Sequence, residues 1–297
     1  MAQARQVLRR LKTQNPSRKF RLVLIKTTGD EFQSVELFKK TNVGVFTKAI
    51  EKKLLSKEVD IAVHSLKDLT TELPPGLRLA AFPKRLASED VLITRKGFSL
   101  KTLPQGSRVG TGSPRRKSQL KNLRPDLRLI DMRGNLDTRV NQVLREKKLD
   151  AIVVAQAGIL RLKKYGKYAR PIPSEKMLPA VGQGALGIEI RKNDAETFKI
   201  VKKLNDAATE KIVTAERNFL KTLRGGCRVP VGIHSGIRKN KMYLKAAVFS
   251  VKTSDFLSGE LSTPVQKYRE AGKILAQQLL RKGAGKFLKE ARARRNA

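Results

Sequence analysis

The strongest constraint in this chain is a local pattern repeated between residues 60 and 190. A short apolar run ends abruptly in small or polar residues, and a helix-like segment follows. Asp60-Ile61-Ala62-Val63 runs into His64-Ser65-Leu66-Lys67-Asp68. Ser107-Arg108-Val109-Gly110-Thr111-Gly112-Ser113 leads into Pro114-Arg115-Arg116 and a helix. Leu127 to Met132 ends in Arg133-Gly134-Asn135, with Arg139 one turn into the next helix. Ala151 to Ala155 ends in Gln156-Ala157-Gly158, with Arg161 beyond it. Strands alternating with helices build an α/β sheet, whose ligands bind outside the carboxyl ends of the strands. Successive strands thus deliver arginines to one end of a sheet. Arginine grips carboxylates and phosphates through a two-point fork that lysine lacks, so a polycarboxylate or phosphate cleft is expected. Pro114 and the small residues before it leave helix N–H groups open to an anion. Arg115 and Arg116 oppose the dipole of that helix, a conflict that an anionic ligand would offset. The polar group 64–68 reads either as part of this site or as an ordinary strand exit.

The flanks complete a two- or three-domain chain of 297 residues. Residues 4–12 look helical, Phe20 to Ile25 reads as a strand before a turn at 27–30, and Val45 to Leu55 carries helical apolar spacing. Strand-like runs cover 77–82 and 90–94, with a first crossing between domains near Pro83 to Glu89. Leu178 to Leu186 is glycine-rich but lacks the Lys and Ser/Thr of a phosphate loop, and reads as a hinge back to the first domain. After residue 227, alternating segments such as 242–249 and an amphipathic helix from Val265 to about Leu280 indicate a small α+β domain. One cysteine excludes an internal disulfide and fits a reducing cytosol. No apolar run approaches a membrane span and no signal-peptide core is evident, so a cytoplasmic protein is expected. Lys plus Arg number 64 against 26 acidic residues, a formal charge of +38. Such a surface attracts polyanions, but the basic residues are spread through helix-like segments and no nucleic-acid-binding motif appears.

The lone cysteine lies in Leu223-Arg224-Gly225-Gly226-Cys227-Arg228-Val229-Pro230. A helix-like segment, Ile212 to Leu223, leads in, and Gly225 and Gly226 are expected to stop it in the left-handed conformation. Arg224 and Arg228 flank the thiol, and cationic neighbours favour the nucleophilic thiolate. The competing reading is a small buried hydrophobe.

The stretches DIAVHSLKDL (60–69), VGTGSPRRKSQL (109–120), MRGNLDTR (132–139), AQAGILRL (155–162), LPAVGQGALGIE (178–189) and TAERNFLKTLRGGCRVPVG (214–232) occur in this order across nearly the whole chain. In these stretches the sequence closely resembles the porphobilinogen deaminase (hydroxymethylbilane synthase) family. The resemblance implies an α/β fold of two doubly wound lobes like periplasmic binding proteins, plus a small C-terminal α+β domain. Mapped onto this chain, the first lobe is 1–84 with 183–204, the second is 85–182, and the third domain is 205–297. The implied activity is stepwise head-to-tail condensation of four porphobilinogen molecules with loss of ammonia on a covalent dipyrromethane cofactor. Hydrolysis then releases hydroxymethylbilane. Cys227 would carry the cofactor through a thioether, and Asp68 matches the catalytic aspartate. Ser65, Lys67, Thr111, Ser113, Arg115, Arg116 and Arg133 match cofactor-binding residues. Arg139, Arg161 and Lys48, the last on a mobile loop, match substrate-binding ones. The resemblance further implies a monomer, with no metal, no specific nucleic acid and no membrane.

Two departures accompany the match. The family's first strand and its Thr-Arg-x-Ser-x-Leu-Ala-Leu motif precede the position aligned with Met1. Either the natural protein is longer, or the chain is an impaired homologue that only binds anions. Loss of an internal strand should leave apolar surface and unpaired ladder groups exposed. In Thr41-Asn42-Val43-Gly44, Val43 stands where a lysine is common.

Overall fold

The computed structural model describes residues 1–25, 47–225 and 229–296. Its helices are α1 (Ala2–Gln14), α2 (Lys48–Leu55), α3 (Pro114–Leu123), α4 (Leu136–Leu144), α5 (Gln156–Leu162), α6 (Ala195–Lys202), α7 (Ala207–Thr222), α8 (Tyr268–Arg281) and α9 (Gly285–Asn296). The strands are β1 (Ala62–Ser65), β2 (Leu77–Ala81), β3 (Asp90–Thr94), β4 (Arg108–Gly110), β5 (Arg128–Ile130), β6 (Ala151–Ala155), β7 (Ala169–Ile172), β8 (Leu186–Arg191), β9 (Val231–Arg238), β10 (Lys241–Phe249) and β11 (Phe256–Pro264). Among the described residues, no helix is long and apolar enough to cross a membrane.

The first sheet has the order β1-β8-β2, with β8 antiparallel to both neighbours. Strand alternation sends Ile188 and Ile190 to one face, where they pack with Val7 and Leu11 of α1 and Val201 of α6. The opposite face brings Ala62 and Leu77 against Leu54 of α2. The second sheet has the order β5-β4-β6-β3-β7, with β4 parallel to β5 and β6, and β3 antiparallel to β6 and β7. Its central strands are apolar on both sides because helices cover both faces. Val91, Ile93, Ile152 and Val154 meet Val140 and Val143 of α4, while Leu92 and Val153 meet Leu120 of α3. The third sheet is an antiparallel meander, β11-β10-β9, whose inner face packs on α7 and α8.

Most sequence-level elements are present, with three corrections. Residues 20–25 form no strand. Their β propensity provides no ladder partner among the described residues, and Leu22, Val23 and Leu24 are exposed. The helix expected from Val265 opens as a 3-10 turn, Val265–Lys267, before α8 begins. At the end of α7, Arg224 adopts the left-handed conformation, with φ of 50°, and Gly225 does not; Gly226 lies outside the described residues. Gly225 serves a different need, since a Cβ there would lie 2.6 Å from Leu220 Cδ1. The expected turn at 27–30 and the loop at 41–44 lie outside the described residues.

Gly272 sets the spacing of α7 and α8: a Cβ there would lie 1.9 Å from the Ala215 carbonyl oxygen and 2.7 Å from the Phe219 nitrogen. Both obstacles are backbone, so the helices would have to part. Gly272→Ala is expected to destabilise the chain by about 1–3 kcal/mol through overpacking, read as a lower midpoint in urea unfolding.

Candidate active site

A charge placed at the head of a buried strand organises the centre. Asp90, the first residue of β3, is fully buried. α3 starts behind a Ser113 cap and carries Arg115 and Arg116 in its first turn, both buried. Arg116 donates to Asp90 Oδ1 from Nε at 3.1 Å and Nη2 at 2.8 Å, and from Nη1 to the Val153 carbonyl at 3.0 Å. Arg115 Nη2 lies 2.8 Å from Asp90 Oδ2, and its Nη1 donates to the Leu178 carbonyl at 2.6 Å. Burial by itself would raise the Asp90 pKa, but the two guanidiniums overrule it and hold the carboxyl down at about 2. This corrects the expectation that an anionic ligand alone offsets cations at the start of α3. Asp90 already does so from within the protein.

The glycine-rich stretch carries the chain from the second sheet back to β8 of the first, and it is tied on three sides. Gln183 donates through Nε2 to Asp90 Oδ1 at 2.9 Å and to the Ser88 carbonyl at 2.6 Å. The Gly182 N–H donates to Glu216 Oε2 at 2.7 Å, and Arg85 Nη1 donates to Glu216 Oε1 at 2.6 Å. Ser235 on β9 also donates to Glu216. Arg85 Nε closes the loop on the Gln183 carbonyl at 2.8 Å. Gly184 has φ of 86°, and a Cβ there would lie 2.5 Å from the Ala87 carbonyl oxygen. The two crossing segments, 83–89 and 178–186, therefore lie backbone to backbone, locked to α7 by Glu216.

The remaining site residues face one another across this frame. β1 delivers Ser65, then the 3-10 turn Leu66–Asp68 carries Lys67 and Asp68, the latter exposed. Burial, reinforced by Arg116 and Arg115, pushes Lys67 below the ordinary lysine range, while Asp68 and Asp90 oppose the shift. Burial likewise lowers Arg139, with Arg116 and Arg133 adding repulsion and Asp68 opposing it. Lys67, from the first sheet, thus feels Arg115 and Arg116 of the second, and Asp68 feels Arg139. Arg139 is braced by Nε donation to the Gly134 carbonyl at 2.7 Å. Thr111 is buried, and its Oγ1 accepts from the Ser113 N–H at 3.3 Å. Arg161 reaches the hinge instead, donating Nη2 to the Gly184 carbonyl at 2.7 Å, and its buried Nε has no protein partner. Lys48 is exposed at the start of α2, where its charge acts on Glu51, and no described contact joins it to the Asp68 group. Cys227 lies outside the described residues.

Sequence reasoning missed Asp90, Gln183, Arg85 and Glu216. An aspartate heading the otherwise apolar run 90–94 was the available signal for the first. Nothing comparable marked Glu216, one position after Ala215 on the buried face of a helix.

Among the described residues, cations gather near the exposed Asp68 where the first two sheets meet, and orphaned donors remain at Arg115 Nε and Arg161 Nε. An arrangement of this charge suits an anionic ligand, the class of molecule that paired guanidiniums grip. Residues 1–199 match the model for "Porphobilinogen deaminase, dipyromethane cofactor binding domain", and 211–281 match "Porphobilinogen deaminase, C-terminal domain". The porphobilinogen deaminase of Carboxydothermus hydrogenoformans is 43% identical over 286 residues, covering 96% of this chain and 92% of that protein. That of Chlorobaculum tepidum is 45% identical over 283 residues, covering 94% and 90%. Among solved structures, the Bordetella pertussis BvgS periplasmic VFT2 domain aligns at 16% identity with a TM-score of 0.38, over 67% of this chain and 75% of that one. The chain belongs to the porphobilinogen deaminase family. It is a transferase that condenses four porphobilinogen molecules head to tail, with loss of ammonia, on a dipyrromethane cofactor, and hydrolysis releases hydroxymethylbilane.

Asp90→Asn leaves two buried guanidiniums without their anion and is expected to cost about 3–5 kcal/mol at neutral pH. Because the folded pKa is depressed to about 2 from 3.8, the wild-type contribution is complete above pH 3.8 and is lost as pH falls toward 2. The stability gap between wild type and variant, measured by denaturant unfolding, should therefore narrow over that interval.

Proposed function

We propose that Asp68 is the catalytic carboxylate and that Cys227 carries the dipyrromethane cofactor through a thioether. The observation behind this reading is the isolation of Asp68 as an exposed carboxylate among Lys67, Arg116, Arg133 and Arg139. Porphobilinogen carries an acetate and a propionate, so each ring added brings two more negative charges. Arg133, Arg139 and Arg161 bind those carboxylates, and the unpaired Nε of Arg161 is a donor ready for one. Arg115 and Arg116 form an inner layer, fixed by Asp90, that contributes positive field and the free Nε of Arg115. Ser65, Thr111 and Ser113 offer hydroxyls, and Lys67 an ammonium close to Asp68. Lys48, at the rim, meets incoming substrate. When bound, the cofactor supplies a terminal pyrrole carbon as nucleophile for the substrate methylene.

Asp68 accepts a hydrogen bond from the substrate pyrrole N–H. As the C–N bond to the departing ammonia breaks, positive charge spreads over that ring, and the carboxylate opposes it directly. A preorganised charge of this kind is worth roughly 10²–10³ in rate. The charges of Lys67 and Arg139 act on Asp68, and Arg161 reaches the return crossing through the Gly184 carbonyl.

The chain is further proposed to act in the cytoplasm as a monomer without specific nucleic acid. Its lobes are 1–84 with 183–204 and 85–182, followed by a third domain, 205–297. The spread of basic residues over many surface helices supports a general surface charge rather than a nucleic-acid groove. Asp68→Ala should lower kcat roughly 10²–10³-fold while the purified chain still binds porphobilinogen. Unchanged single-turnover rates would remove Asp68 from the mechanism.

A further inference from the structure

The face of the first sheet opposite α1 holds three buried ionisable groups that the mechanism does not use. Ala62 pairs with Glu189 and His64 with Gly187, so His64 and Glu189 are diagonal neighbours on one face. His64 Nε2 lies 2.8 Å from Glu189 Oε2, and both side chains are buried. α2 covers this face and contributes Glu51, which is 5% exposed. Glu51 Oε1 and Glu189 Oε1 are both buried without a hydrogen-bond partner. Two carboxylates that feel each other in a dry pocket do not both ionise freely; one proton held on one of them supplies the donor that the other lacks.

We infer that Glu51, Glu189 and His64 form a positioning cluster that shares a proton between its two carboxylates and fixes the end of β1, and with it the catalytic turn Leu66–Asp68. Glu51 is the carboxylate whose ionisation is disfavoured. Burial, then repulsion from Glu189, raises its pKa above the ordinary 4.5, while Thr47, His64 and Lys48 oppose the shift. The other neighbours are accounted for among the described residues. On β2, Leu79 pairs with Glu189 and is neutral. On β8, Arg191 is the next charge on the same face, and it is neutralised by Asp60 at 2.5 Å and Asp194 at 2.8 Å. With Glu51 protonated, Glu189 holds the His64 N–H, and His64 stands one residue before Ser65 and four before Asp68. Ionising Glu51 puts a second negative charge in the pocket, which strains the His64–Glu189 tether and loosens the turn. This inference rests on Asp68 being the catalytic carboxylate.

The sign of the linkage follows from the raised folded pKa. The stability that protonated Glu51 contributes is complete below 4.5 and declines as pH rises from there through the folded pKa. Glu51→Gln preserves the shape and a donor while removing the titration. The test compares wild type, Glu51→Gln, Glu189→Gln and Asp68→Ala as cofactor-loaded chains, measuring kcat, KM and thermal midpoint against pH, with cofactor content from intact mass. Glu51→Gln should keep the kcat that wild type shows below the Glu51 titration, lack the fall that wild type shows as pH rises through it, and have the higher thermal midpoint only above it. Glu189→Gln should lose roughly ten- to a hundredfold in kcat at unchanged KM and cofactor content, as expected of a misplaced catalytic group. Superimposable pH profiles for wild type and Glu51→Gln overturn the inference, even if Glu189→Gln fails to fold. Retained turnover in Asp68→Ala overturns the catalytic reading instead, while the midpoint curves still report on the cluster.

Discussion

The structure depends on a carboxylate that water does not reach. Asp90 sits at the head of β3 with no exposed surface, and it is tolerable there only because Arg115 and Arg116 close on it from α3 and Gln183 from the hinge. Taking an unpaired carboxylate from water into a protein interior costs several kcal/mol, so these partners are required and their positions are fixed by it. Once Asp90 is held, α3 is docked on the second sheet, the Leu178 carbonyl is anchored through Arg115, and the return crossing is tied beside the first. The cationic floor of the cleft is thus part of the fold's own electrostatic balance, before any substrate arrives.

Glu216 performs the matching task for the third sheet. It accepts from Arg85 on the outgoing crossing, from the Gly182 N–H on the return crossing, and from Ser235 on β9. It belongs to α7, the helix that precedes Cys227 in the chain. The segments joining the two lobes and the helix that leads to Cys227 therefore share one buried polar network. The backbone contact at Gly184 and the close helix crossing at Gly272 restrict the same region sterically.

Much of this was legible in the chain, and what was not has physical reasons. Apolar runs ending in Arg, Gly or Ser gave the strands and the polarity of the cleft, because strand ends are local and periodic. The six motif stretches gave the family. The segment 20–25 misled because β-branched and aliphatic residues report packing preference, while a strand needs a partner that no single stretch encodes. Arg115 and Arg116 were legible as cations opposing a helix dipole, but the anion answering them lies some 25 residues earlier and meets them only through sheet order. Glu216 and the Glu51–His64–Glu189 group were invisible for the same reason: buried polar pairs are long-range, and their members look like ordinary surface residues in sequence. The left-handed turn at Arg224 shows a local rule overridden where Gly225 is needed for close packing on Leu220.

The geometry yields one economical arrangement for assembling a polyanion. In the proposed reading, arginines hold the substrate carboxylates and Asp68 faces the carbon where positive charge develops. The central claim is that this scaffold builds and carries its own primer on Cys227. Intact mass of the purified chain, with and without Cys227→Ser, tests it most directly. The account predicts an added mass equal to two linked pyrrole units on the wild-type chain and none on the variant. A wild-type chain of bare polypeptide mass, or a variant that retains the added mass, would contradict it.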